Sequence, residues 1–536
     1  MSRARRRAAI ERAIVSSGVA QLLEAHMPAG GRPRQLPVTT LVLAMAFCID
    51  EGRPAHLVAG WRTLEGLPGA TRLRLGAAVT RTGTLHDATY RQFSHAHRTM
   101  IGTLDAAPVP SFRGIAEDER ATHLEAARQG VDAQAAEARL TFVLDQLVEA
   151  SVPSRYKTLS SALAVDWTDH ETWSRPRARD DPVPAPDPTA SWGHAKRNAP
   201  GAKDQLFFGY YGQVATMVKE ERGTEVPELV RRIAFDSAST DPPAAMAQTL
   251  LRAYDAGVGP GDVLCDCGYS NRDPKTFASL LRRAGASLVM DLHPHDRGPR
   301  GTHFGAIVSN GNLYCPATPR ALLELGPLCR SASENETADH DERTKELSCY
   351  KLGRIARDDE DGAHRVMCPA VMEKVRCPLR EASMALDYTH PEVLQPPEHP
   401  PTCCVQKTIS VPVEIDAKRR QKHDYPSKAH RLSYSRRTGS ERTFSWIQDP
   451  ASGGVRRGWS RLFGRAPNAL LYALVVVVRN VRLVLAHEDR EADTARRAAM
   501  GLSPLTRRRR RQRRGHRHVE PIATDPAGAA PDPTPG

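Results

Sequence analysis

The chain has 536 residues, 75 Lys and Arg against 62 Asp and Glu, a formal net charge of +13 and a pI near 9.4. That length accommodates three or four domains, and the charge favours a polyanionic partner, nucleic acid first. No window reaches the roughly 20 apolar residues of a membrane span, and the basic start Met1–Arg7 has no following apolar run or cleavage site of a secretory signal. Ten Cys in so long a chain do not make a disulfide framework, so a reducing bacterial cytosol, near the nucleoid, is the expected setting. Only 12 of the 75 basic residues are Lys. The Arg excess therefore fits GC-rich coding, and the sign of the charge is more informative than its chemistry.

Residues 1–153 read as helical. Ile10, Ile14, Val19, Leu22 and Leu23 share a helical stripe before Pro28-Ala29-Gly30-Gly31. Val38 to Ile49 is apolar nearly all round and is expected to be buried. Pro54 opens a helix carrying Leu57, Val58 and Trp61, where Pro is tolerated. Thr84 to Leu104 and Glu117 to Val152 complete the set. An all-helical N-terminal domain of this kind could hold a helix-turn-helix, and Arg32, Arg34 and Arg91 make DNA binding the expectation, with the family resemblance given below implying DNA ends as what is bound. The plainer alternative is a packing or oligomerisation module.

Strand patterns begin near Tyr156. Leu159 to Trp167 is the first, and it carries Asp166 at its polar end, where a carboxylate is costly unless something positive meets it. A Pro-rich excursion follows from Arg175 to Lys203. Strands are then expected at Phe207 to Val218 and Val230 to Phe235, and a helix at Pro243 to Ala256. Asp262-Val263-Leu264-Cys265-Asp266-Cys267-Gly268-Tyr269 is a short apolar strand delivering a second acid, with Gly268 where the backbone must turn. A helix at Pro274 to Ala284 and a strand at Ala286 to Leu292 close residues 154–294. This order matches an α/β ribonuclease-H-like catalytic core, an analogy of element order only.

Residues 295–430 are polar and Pro-rich with short strand-like runs, a strand-containing insertion holding seven of the ten Cys. None of these forms the Cys-x-x-Cys of a zinc site, so buried thiols are the first expectation and a structural metal the second. Helix is expected from Ser440 past the apolar run Ala469–Val478 to about His487, making 431–490 the second part of the core. Residues 491–536 form a basic tail with the block Arg507–Arg514, usually disordered and able to meet phosphates electrostatically.

Tyr434, Arg437 and Glu441 stand at the spacing Tyr-(2)-Arg-(3)-Glu. This resembles the Tyr-(2)-Arg-(3)-Glu-(6)-Lys signature of bacterial cut-and-paste transposases, the insertion-sequence-four group of the DDE superfamily. Asp166 after its strand, Asp266-x-Gly-Tyr, Phe208-Gly209-Tyr210, Asn480-Val481-Arg482 and the long insert before Glu441 resemble that group as well. The likeness spans residues 155 to 487. It implies catalytic and metal-binding roles for Asp166, Asp266 and Glu441. Two Mg²⁺ (or Mn²⁺) ions would be present with DNA bound, Asp166 bridging both.

The partners implied are double-stranded DNA, as element ends and target, and a homodimer in the synaptic complex. Tyr434, Arg437, Gln448, Trp167 and Arg442 are the expected DNA contacts. Gln448 departs from the signature, which has Lys there. The change removes a charge and keeps a hydrogen-bond donor, with Arg442, Arg456 or Arg457 as possible substitutes. Trp167 and Trp446 could stack on an extruded base, although packing is the plainer role for both. Asp169, Asp236 and Asp291 are the weaker candidates for a catalytic acid, and Trp192–Lys196 could touch DNA.

The function so implied is a DNA transposase that binds terminal inverted repeats, cleaves by metal-assisted hydrolysis and joins the 3′-hydroxyls to target DNA. The alternatives are a ribonuclease-H-fold nuclease or resolvase without strand transfer, and an inactive transposase-derived DNA-binding protein.

Overall fold

Helical periodicity at the N-terminus becomes α1 (Arg3–Ser16), α2 (Val19–His26), α3 (Val38–Asp50), α4 (Leu57–Glu65), α5 (Gly69–Arg74), α6 (Tyr90–Gly102) and α7 (Ala133–Ala150). The computed structural model describes residues 2–28, 36–107, 132–175, 185–187, 189–195, 205–329, 331–355 and 362–503, with the single positions 122, 125 and 129. Arg32, Arg34, Lys196, most of 108–131, most of the Pro-rich excursion and Arg507–Arg514 lie outside the described residues. As its composition requires, α3 is buried from Thr40 to Asp50.

The region is not all helical. A hairpin of β1 (Ala78–Arg81) and β2 (Thr84–Asp87) occupies the place where a helix was expected to begin at Thr84. Thr82 and Gly83 both have positive φ, 48° and 79°. A two-residue turn of that kind matches strand twist and closes a hairpin, which the helical spacing of Tyr90, Phe93 and His97 does not reveal.

The central sheet runs β4 (Ser191–Ala195), β5 (Gln205–Met217), β3 (Leu163–Glu171), β7 (Asp262–Cys265), β8 (Ser287–Met290), with β6 (Val230–Ser237) also paired to β5. Strand β5 pairs antiparallel with both β3 and β6, whereas β7 and β8 run parallel to β3. One face carries α8 (Pro242–Asp255), α9 (Cys267–Ser270) and α10 (Ala278–Arg283), whose Met246, Leu250, Tyr269 and Leu281 pack with Leu163 and Val165. Between Val165 and Asp166 the pattern alternates as a strand must, so Asp166 turns to the other face.

An insertion follows β8. It contains the antiparallel sheets β9 (Pro299–His303), β10 (Ala306–Ser309), β11 (Asn312–Tyr314) and β12 (Gly353–Arg354), β13 (His364–Met367), β14 (Thr408–Val411). It also holds α11 (Arg320–Leu323), α12 (Glu334–Cys349) and α13 (Thr402–Val405). The strands agree with the sequence reading; α12 does not, although Ser333 and Glu336 form a capping box at its start.

The chain returns to the sheet through α14 (Lys428–Tyr434), a 3₁₀ turn Ser435–Arg437, α15 (Thr438–Gln448) and α16 (Arg465–Ala499). The single helix expected from Ser440 to about His487 is thus two, interrupted over 449–464 at Pro450 and Gly453-Gly454. By length and composition α16 is apolar enough to cross a bilayer, but 83% of its apolar window is buried inside the protein. Its Leu470–Val478 run packs between the sheet residues Tyr210, Val214 and Phe235 and the N-terminal helices. The chain separates into two units, Met1–His487 and Glu488–Gly536; the sheet, the site and the insertion all belong to the first.

Asn480 fixes α16 to the sheet. Fully buried, it accepts from Val230 N (2.9 Å) and donates to Val230 O (2.8 Å) and Ser151 Oγ (2.9 Å). Replacing it by Leu leaves a buried N–H and C=O of β6 without partners. Urea unfolding of Asn480→Leu should show a loss of about 2–4 kcal/mol; an unchanged midpoint would refute that role.

Candidate active site

Strand register brings the first two acids together. Leu163 and Ala164 of β3 pair in parallel with Val263 and Leu264 of β7, so Asp166 and Asp266 are each two residues beyond Ala164 and Leu264. Neighbouring strands lie about 4.8 Å apart, which sets the scale of their separation. Asp166 does not end its strand as the apolar run suggested. β3 continues to Glu171 against β5, and what ends beside Asp166 is β7. Asp169 is on the opposite face and exposed.

Asp266 caps α9, its Oδ1 accepting from Gly268 N at 3.0 Å. Gly268 is needed for space and not for a left-handed turn: a Cβ there would stand 2.4 Å from the Trp167 ring. Trp167 in turn packs edge-on to the buried Tyr269, with centroids 4.6 Å apart.

The third acid arrives on α15. The 3₁₀ turn runs directly into this helix, so Arg437 and Glu441 sit one turn apart on one face. Gly439, which might have broken the helix, instead lets it approach the sheet, since a Cβ would be 2.6 Å from Val218 Cγ1. A buried Thr443–Thr216 hydroxyl contact of 3.1 Å holds the same interface.

All three carboxylates converge on one guanidinium. Arg437 Nη2 is 2.8 Å from Asp166 Oδ2 and 3.7 Å from Asp266 Oδ2, and Nη1 is 2.8 Å from Glu441 Oε1. Ser440 Oγ stands 3.5 Å from Asp166 Oδ2. Side-chain exposure rises from 14% at Asp166 through 34% at Asp266 to 46% at Glu441, so the site opens on the Glu441 side.

Three negative charges face one positive charge. Burial pushes the Asp166 carboxyl up to about 6; Arg437 opposes this, while Asp266 and Glu441 add to it. Burial works against the Arg437 charge, but the carboxylates outweigh it and hold its pKa above the ordinary value. Among the described residues, no three His, Cys, Asp or Glu close around a point where one ion would touch them all. Here the guanidinium occupies the space between the acids. The donor set nevertheless fits hard divalent cations, because it is all-carboxylate and carries uncompensated negative charge that a cation would relieve.

The remaining candidates fall at graded distances from this centre. Tyr434 ends α14, stacked on His430 (5.6 Å, 13°) and half-buried, so its ring helps support the wall beside Arg437. Gln448 is exposed at the end of α15, and its Nε2 donates to Thr168 Oγ1 at 2.7 Å, on the Asp166 face of β3. Arg442 is committed elsewhere, in a two-pronged pair with Glu228. Arg457 Nε is 3.9 Å from Glu171, and Arg456 is exposed. Trp446 packs against the core with the Arg482 guanidinium 5.9 Å from its ring centroid. Asp236 pairs with Arg465 and Asp291 with Arg297 and Tyr425; neither joins the cluster. Trp192 is exposed on β4 and Arg91 on α6.

One supporting residue escaped the sequence reading. Arg436, buried, donates to Asp262 Oδ2 (2.7 Å) and Lys219 O (3.1 Å), fastening the Tyr434–Glu441 segment to the start of β7. The Arg-Arg pair was its signal, but which Arg turns inward depends on distant partners.

Neither known protein-family models nor curated proteins give a match to this sequence.

A carboxyl whose pKa is raised on folding contributes stability below its ordinary pKa of 3.8, and that stability is lost as pH rises to about 6. In EDTA, Asp166→Asn should therefore gain on the wild type by about 3 kcal/mol between pH 3 and pH 7. Added Mg²⁺ should raise the Tm of the wild type and leave the variant nearly unmoved. Thermal scans in which Mg²⁺ shifts neither protein, or both equally, would exclude this site as the cation's seat.

Proposed function

We propose that the protein is a DNA transposase of the DDE kind, acting on double-stranded DNA through Asp166, Asp266 and Glu441. The observation that carries the reading is the convergence on Arg437 of three acids drawn from positions 166, 266 and 441. A structural ion pair needs one partner for one arginine; a cluster with excess negative charge suits chemistry on phosphates. The strand order β6-β5-β3-β7-β8, antiparallel in its first three strands and parallel beyond, supports a ribonuclease-H-like core. The Tyr434/Arg437/Glu441 spacing supports the transposase over a plain nuclease.

In this reading Asp166, Asp266 and Glu441 would hold divalent cations, Mg²⁺ or Mn²⁺, whose contribution would be Lewis-acid polarisation of the attacking and leaving oxygens. Arg437 presents a planar donor set that fits a phosphate as well as it fits carboxylates. With its carboxylates otherwise engaged, its guanidinium is freed to bind the phosphate beside the scissile bond. Tyr434 and its stacked His430 limit where that guanidinium can go. Gln448 offers an amide donor, already aligned by Thr168, on the same face. The formal net charge of +13 supports a DNA partner, and cutting two ends together would need two active sites, hence a dimer in the synaptic complex.

The test is an assay with the DNA ends that flank the gene, supercoiled target DNA and Mg²⁺. The wild type should cut at the ends and join the 3′-hydroxyls to target, and Asp266→Asn or Glu441→Gln should lower both rates by about 10³-fold or more, several kcal/mol of transition-state stabilisation. Cleavage without joining would replace the reading with a nuclease. Unaltered cleavage in both variants would remove these acids from the chemistry.

A further inference from the structure

The loop over 449–464 joins the end of the Glu441 helix to α16, and its charge is one-sided. From Pro450 to His487 the sequence contains no Asp or Glu, whereas Arg456, Arg457 and Arg461 fall within six residues. All three are exposed, and they alternate with the buried Val455, Trp459 and Ser460. Val455 and Trp459 pack into the core that also holds α16. Burial of the apolar members anchors the loop and turns its guanidinia outward.

The loop is also held in shape. Val455 N donates to Ile447 O (2.9 Å), Gly453 N to Trp446 O (3.0 Å) and Trp459 N to Arg456 O (2.9 Å). Gly458 O accepts from His56 Nε2 at 2.9 Å, which ties the loop to the N-terminal region. Gly458 itself is left-handed, with φ 84°, and a Cβ there would stand 3.3 Å from the Trp173 ring. The Arg461 guanidinium lies 4.9 Å from the centroid of that same ring, which is 41% exposed. A guanidinium stacked on an indole keeps its planar donors presented and has less freedom left to lose on binding. Among the described residues Arg456 and Arg461 pair with no carboxylate, and Arg457 has only Glu171, at 3.9 Å.

Three contacts lay this segment along the half of β3 that leads away from the acids. Gln448, just before the loop, bonds Thr168; Arg457 nears Glu171; Arg461 covers Trp173. At a rise of about 3.4 Å per residue, Asp166 and Glu171 are roughly 17 Å apart along the strand, the length of about five steps of a DNA strand. Several exposed guanidinia in a row fit a run of phosphates better than a single anion, and each can meet a phosphate with two parallel bonds. We propose that Arg456, Arg457 and Arg461, propped by Trp173, form a rail that grips the backbone of duplex DNA about five nucleotides from the bond on which the acids act. The inference rests on the DNA reading above and adds the course of the duplex, along β3 from Asp166 towards Trp173.

The experiment measures binding apart from chemistry. The full chain, with Ca²⁺ in place of Mg²⁺, is titrated by fluorescence anisotropy against a duplex carrying the DNA end that flanks the gene, over a range of salt concentrations. Arg456→Ala/Arg461→Ala should keep the wild-type Tm and bind about 10- to 100-fold more weakly, with the slope of log K against log salt flatter by about 2. Arg461→Lys, which retains the charge, should retain the slope. Trp173→Ala should add little to the loss already caused by Arg461→Ala, because the ring acts through that guanidinium. Ethylation of phosphates about five nucleotides from the cut should hinder the wild type and not the double variant. Equal affinity and slope in the double variant and the wild type would overturn the rail and leave the catalytic reading standing. A wild type that binds no duplex DNA would remove both, and one that holds polyglutamate more tightly than the duplex would assign the loop to an acidic protein instead.

Discussion

The Arg437 guanidinium is the constraint on which the site depends. Without positive charge between them, Asp166, Asp266 and Glu441 could not be brought together, since like charges in a partly desolvated pocket repel strongly. The segment that supplies Arg437 is correspondingly well secured. Arg436 anchors it to Asp262, Gly439 allows α15 to sit on β5, and Thr443 meets Thr216 beneath. These contacts cross from the last part of the core to strands more than 170 residues earlier. The insertion lies wholly between the second and third acids, so it can be elaborated without disturbing the register of β3 and β7.

Much of this was legible in the sequence, for reasons that can be stated. The apolar runs before Asp166 and Asp266 are buried strands, and burial on both faces is what makes such runs continuous. The fixed offsets from Tyr434 to Glu441 survive because a helix preserves i,i+4 neighbours whatever surrounds it. Features that depend on distant partners were not legible. Residues 168–171 read as polar and past the strand, yet pairing with β5 carries β3 through Glu171. Gly268 read as a turn residue, and it and Gly439 both exist to admit a neighbour, the Trp167 ring in one case and Val218 in the other. The β1–β2 hairpin was hidden by the strong helical stripe that follows it, and α12 by a composition so polar that only its capping box marks it.

The thiols of the insertion illustrate the same divide. Spacing along the chain sets Cys315 more than 50 residues from Cys368, and no short motif joins them to Cys404. Only folding places the sulfurs around one gap. What the sequence does carry is the repeated Cys-Pro step, whose physical content is local: it fixes a turn and aims an amide at the sulfur. A motif defined by backbone geometry around each thiol becomes readable only once the three copies are seen to face each other.

The position of Gln448 gives the charge balance of the site its last term. A Lys there would reach over Thr168 towards the acids; Gln reaches the same hydroxyl with no charge. Its sequence neighbours do not compensate. Arg442 is neutralised by Glu228, and Arg457 leans towards Glu171. Among the described residues Arg437 is the cation that the three acids share, so the face around Asp166 keeps an excess of negative charge. A DNA phosphate would meet repulsion there unless cations arrive with it or before it. In the proposed reading, substrate binding at this end of the sheet then becomes more strongly coupled to divalent cations than it would be with Lys at position 448.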